Sequence, residues 1–65
     1  SINFINVKGK VNKIDISNAY RDALDLDFST VKINNIKINK AGNDCLDVSF
    51  GVYEIDKINC KSIIE

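Results

Sequence analysis

The chain has 65 residues, nine basic and nine acidic side chains, two Cys, and no His, Trp, Met or Pro. A neutral chain with one Arg and no basic run excludes a nucleic-acid surface, and its longest apolar runs are too short for membrane insertion. A domain of this size buries only about 60% of the surface its unfolded chain exposes, so a bridge, a metal or a partner chain is the expected supplement. Eleven Ile and nine Asn dominate the composition. β-branched residues favour strands, and Asn favours tight bends. No apolar pattern of helical period persists along the chain. The chain opens at Ser1 with no signal peptide. We read it as a processed chain or a piece of something longer.

Taken in order, the predicted elements repeat. In the first stretch, residues 1–21, Ile2 and Phe4 alternate with polar neighbours, and Val11, Ile14, Ile16 and Ala19 follow. In the second, residues 22–43, "ALDLDFS" alternates, with Leu24, Leu26 and Phe28 inward and Asp25 and Asp27 outward. "VKIN" and "NIKIN" alternate again, separated by a two-residue corner at Asn34–Asn35, so each repeat is expected to hold about three short strands. Bends are expected near Ser29–Thr30 and at Lys40–Asn43, where Gly42 is free to take positive φ. The third stretch, residues 44–65, repeats the second as "DCLDVSFG" and onward, with Gly51 at the first bend. A shift of 22 residues aligns Val11, Ile33 and Ile55, then Ile14, Ile36 and Ile58, with no gap. A column of Asn6, Phe28 and Phe50 is broken in the first copy. A strand-only repeat cannot bury its apolar face alone, but stacked copies can. The expected fold is all-β: a parallel β-solenoid of three 22-residue coils. The rival at this period, a leucine-rich repeat, needs an inward Asn and a helical or irregular return, and Ala19 and Ala41 stand near where that Asn would be.

Asp22, Leu24, Asp25 and Leu26, with Asn43, Asp44, Leu46, Asp47, Val48 and Ser49, form "DALDLDFS" and "NDCLDVSF". With Ile33, Ile36 and Ile38, they resemble the right-handed parallel β-helix repeats of the pectate-lyase-like superfamily. The resemblance implies a right-handed β-helix and covers nearly the whole chain. It implies a structural or carbohydrate-facing binding module of a larger bacterial surface or secreted protein, with polysaccharide as a partner. The alternative it carries is a fragment of a β-helix polysaccharide lyase, hydrolase or epimerase. A third reading is a self-stacking solenoid subunit.

The acidic columns carry the candidate chemistry. Asp25 aligns with Asp47 and Asp22 with Asp44, on coils that stack about 4.8 Å apart. Like charges directly opposite on adjacent strands are destabilising, and a hard cation takes several carboxylate oxygens. Asp22, Asp25, Asp44 and Asp47 are therefore the candidate Ca²⁺ ligands, with Asp27 and Arg21 as candidate binding residues beside them. Set against this, Asp22 and Asp44 accept hydrogen bonds from corner amides, and Asp25 and Asp47 are merely solvated. Without His, Trp or an aromatic platform beyond Tyr20 and Tyr53, complete catalysis by this chain is the less favoured reading. Each Tyr is read first as the cover of a corner. Cys60 aligns with Ile16 and Ile38 and reads as a small core hydrophobe, while a bridge to Cys45 across the coil is the alternative. Asn12, Asn34 and Asp56 form an expected corner ladder. The stack has two open ends, and Ile63 and Ile64 sit at one of them. End-to-end contact with another solenoid coil or chain is expected there.

Overall fold

The computed structural model describes residues 1–62. Six strands run along the chain: β1 (Ile2–Ile5), β2 (Lys8–Ile16), β3 (Leu24–Asp27), β4 (Ser29–Ala41), β5 (Leu46–Val48) and β6 (Gly51–Ser62). They form two parallel three-stranded sheets, β1-β3-β5 and β2-β4-β6. The protein is all-β. No described element is helical, so the helical return of a leucine-rich repeat is absent among the described residues.

Register follows the sequence period. Ile2 pairs with Leu24 and Leu24 with Leu46. Val11 pairs with Ile33 and Ile33 with Ile55. These partners lie 22 residues apart, so the inward columns stack aliphatic side chains on one another, while outward columns such as Lys10, Lys32 and Glu54 mix charges. The pairing slips at one place, between Asn39 and Ala41.

Apolar side chains from both sheets meet in one core, formed by Leu24 and Leu26 on β3 and by Ile14, Ile16, Val31, Ile33, Ile36 and Ile38 on β2 and β4. The largest fully buried side chains are Leu24, Leu26, Ile33, Ile36 and Ile38, all from the middle repeat. The reason is geometric: only the middle repeat has a neighbour on both sides. Each outer repeat covers its apolar face on one side only.

The corners explain how β4 changes direction. Its side chains alternate until Ile33, then Asn34 and Asn35 are both exposed, then Ile36 returns to the core. That phase change is the predicted Asn corner. Asn34 Nδ2 donates to Asn12 Oδ1 at 3.2 Å, the first rung of the expected ladder.

Two corner expectations are corrected. Phe28 does not point inward. Strand β3 ends at Asp27, and Phe28 takes φ 50° and turns its ring outward, 61% exposed. There it stacks on Phe50, ring centroids 5.9 Å apart. Ser29 enters the interior instead, 2% exposed. Its Oγ donates to Asp27 O and accepts from Val7 N–H, while its own N–H donates to the Tyr53 hydroxyl. This buried polar group therefore joins residues of all three repeats. The bend falls at Phe28, one residue before the expected Ser29–Thr30.

At the second corner Lys40, not Gly42, takes the left-handed backbone, at φ 67°. Glycine is still required at position 42, because a Cβ there would collide with the Tyr20 carbonyl while Gly42 N–H donates to Ala19 O at 2.8 Å.

Cys60 is corrected as well. It is exposed and bonded to Cys45, which is buried, with Cα atoms 6.1 Å apart. The core reading failed because Cys60 lies on the outer repeat, where among the described residues no further strand covers the inward column. Tyr53 braces a corner, its hydroxyl donating to Phe50 O, but Tyr20 is fully exposed and covers nothing. Ile63 and Ile64 lie outside the described residues.

Candidate functional site

Strands β3 and β5 pair in parallel, so outward side chains at the same phase stack. Asp25 on β3 lies opposite Asp47 on β5. Asp22, in the turn before β3, comes beside them: one carboxylate oxygen from each of Asp22, Asp25 and Asp47 lies within 4.8 Å of the others. Three of the four candidate ligands are thus brought together. Asp44 stands apart from that trio. Its contribution is a backbone N–H, which donates to Asp22 Oδ1 at 3.0 Å. This is the corner hydrogen bond expected of Asp22.

Asp27 continues the strip on β3. Its Oδ1 accepts from the Ser49 hydroxyl at 2.6 Å, which ties β3 to the end of β5 and partly buries the carboxylate. Arg21 is exposed and makes no ion pair with the trio among the described residues; the ion pair there is Lys13–Asp15 at 3.9 Å, on the other sheet. Among the described residues no side-chain cation pairs with the strip.

The electrostatic result is visible on two groups. Burial raises the Asp25 carboxyl above its ordinary value of 3.8, and the charges of Asp22 and Asp27 push it further, partly offset by the N-terminal ammonium. Asp47 is also raised, first by the hydrogen bond it shares with Asp22, then by desolvation and the neighbouring carboxylates. In its protonated form Asp47 donates to Asp22.

Raised carboxyls bind protons more readily in the folded chain than in the unfolded one. Their contribution to stability is full below about 3.8 and is lost as pH rises through the folded-state value. Asp25→Asn and Asp47→Asn are expected to raise the melting temperature at neutral pH and to flatten its dependence on pH. Thermal melts from pH 3 to 7 check this, and an unchanged slope in both variants would contradict it.

Chemically, the strip can accept hydrogen bonds from hydroxyl groups, share a proton, or offer three carboxylates to a hard cation. The charge columns were legible in the sequence. The exclusion of Asp44 was not, because the column aligns it with Asp22 without showing which of the two carboxylates turns toward Asp25 and Asp47. Ser49 was missed as a partner of Asp27: it lies 22 residues on and just past the strand end, and its hydroxyl gave no signal.

Comparison of the chain with protein-family models, curated proteins and solved structures returns no match.

Proposed function

We propose that the chain is a three-coil segment of a right-handed parallel β-helix, with coils at about 1–21, 22–43 and 44–65. It serves as a structural module whose acidic strip faces a carbohydrate outside the cell. The observation that carries the reading is the 22-residue pairing held in both sheets, which sets Asp25 and Asp47 side by side on an outward face. Parallel strands joined by crossovers in one sheet are right-handed in about 98% of cases. The Cys45–Cys60 bond supports an oxidising compartment, at the cell surface or beyond it. The resemblance to pectate-lyase-like repeats supports the same setting. An unpaired acidic strip favours a neutral polyhydroxyl ligand, since a polyanion would be repelled.

An NMR titration with neutral and acidic oligosaccharides tests the reading. Neutral sugars are expected to shift the amides of Arg21, Asp22, Asp25, Asp27 and Asp47, and Asp25→Asn with Asp47→Asn is expected to abolish the shifts. A flat titration with every sugar removes the carbohydrate partner and leaves a scaffold. Shortening of the oligosaccharide during the titration would instead support the enzyme-fragment reading.

A second reading rests on the same three carboxylates. A Ca²⁺ ion between Asp22, Asp25 and Asp47 would offset the mutual repulsion of the three carboxylates, which adds to burial at Asp25 and to the Asp22 hydrogen bond at Asp47 in raising both groups. Binding to the folded chain alone stabilises it by mass action, about 2.7 kcal/mol at a hundredfold excess over Kd. Calcium is expected to raise the melting temperature of the wild-type chain and not that of Asp25→Asn. No heat in a calorimetric titration, together with an unmoved melting temperature, would sink the cation.

A further inference from the structure

Among the described residues, β1 and β2 at one end of the stack and β5 and β6 at the other pair on one edge only, with β3 and β4 between them. Strand β4 uses one edge toward β2 and the other toward β6. Parallel pairing repeats by translation, so the free edge of β6 carries the pattern of N–H and C=O groups that β2 could accept from below. Each free edge is also apolar inside. Ile2, Phe4 and Val11 are half-buried at one, and Leu46 and Ile55 at the other.

The two edges differ in charge. Residues 1–21 hold four cations and one carboxylate, residues 22–43 three of each, and residues 44–62 two cations and four carboxylates. The chain is neutral as a whole, so the charge is graded along the axis of the stack.

We propose that a second copy of this chain docks head to tail, its first coil on the third coil of its neighbour, in the same 22-residue register. This rests on the β-helix reading above. In that register Leu46 meets Ile2 of the next copy, and Ile55 meets Val11. Glu54 meets Lys10, which closes a column that reads Lys10, Lys32 and Glu54 within one chain. Asp47 meets Asn3, so the carboxylate column is not extended by a third charge. Tyr53, the bulkiest member of its column, meets Gly9, where an added Cβ would face open space. The one like-charged meeting is Lys57 with Lys13, and Lys13 already faces Asp15 at 3.9 Å. Like ends cannot join in this way, since cationic edge would face cationic edge. The contact is heterologous and does not close, so it propagates.

Light scattering over a range of concentration and salt tests the proposal on the 65-residue chain. The mean mass is expected to rise with concentration at low salt and to fall as sodium chloride screens the ends. Lys10→Glu is the informative variant. Inside the chain it places Glu beside Lys32, so the fold is not weakened, while across the contact it places Glu against Glu54. Association is expected to weaken about tenfold. The double variant Lys10→Glu/Glu54→Lys restores the opposite pair and is expected to restore association. A monomer at every concentration, or growth indifferent to salt and to the double exchange, overturns the proposal. Proton contacts between Phe4, Leu26 and Val48 by NMR separate the two levels. If they persist in a monomer, only the docking fails; if they are absent, the β-helix reading fails with it.

Discussion

Ile36→Ala is expected to leave most of the chain unfolded at room temperature. Ile36 is fully buried at the centre of the core, between Ile14 of β2 and Ile58 of β6. Removing a buried aliphatic side chain costs about 2–5 kcal/mol. A chain of this length has total stability on the order of 3–10 kcal/mol, so the loss consumes much or all of it. The same change at Ile58 is expected to cost under about 1 kcal/mol. Ile58 occupies the same column but is 46% exposed, because among the described residues it has a strand neighbour on one side only. Urea denaturation of the two variants distinguishes them by midpoint. Equal losses would mean that the columns are not graded in burial from the middle repeat outward.

Breaking the Cys45–Cys60 bond is the second large effect. The two residues are 15 apart and close a loop across the third repeat. A loop of that size restrains the unfolded chain by about 3 kcal/mol. For a domain this small the melting temperature is expected to drop by roughly 10–20 °C on reduction. The Cys45→Ser/Cys60→Ser chain should match the reduced wild type. The third repeat needs this restraint most, since Val48, Val52 and Ile58 there are all exposed. A melting temperature that ignores reductant would show that packing alone holds β5 and β6 in place.

The parallel pairing was legible because the 22-residue spacing fixes both the pairing partner and the side-chain phase; the number of sheets was not, since about three short strands per repeat were expected and each repeat supplies two. Asn34–Asn35 was legible as a corner for the same reason: two polar residues in succession break an alternation that resumes at Ile36. Phe28 was not. Alternation carried Leu24 and Leu26 inward and predicted the same for Phe28, yet the residue takes left-handed backbone and leaves the sheet. The corrective signal stood in the column itself, where the first copy has Asn6, a residue that tolerates that conformation, at φ 55°. Read as a corner position rather than a broken core column, Asn6 would have turned the ring outward. The state of Cys60 was hidden by a different fact. Alignment with Ile38 shows direction along the strand, not whether a further repeat covers it. At the acidic strip, the sequence placed the carboxylates in columns, but which of them approach one another depends on where the strands stop.

The constant spacing also governs how the chain can fold. Every interstrand pair closes a loop of nearly the same length, about a third of the chain, so no short-range contact can form first and lower the cost of the others. Such non-local pairing folds slowly compared with helical domains of the same size. The middle repeat takes part in both sets of pairings and holds the fully buried side chains. Whichever outer repeat meets it first, the nucleus is drawn from residues 22–43, and the remaining outer repeat then adds to a template already in place.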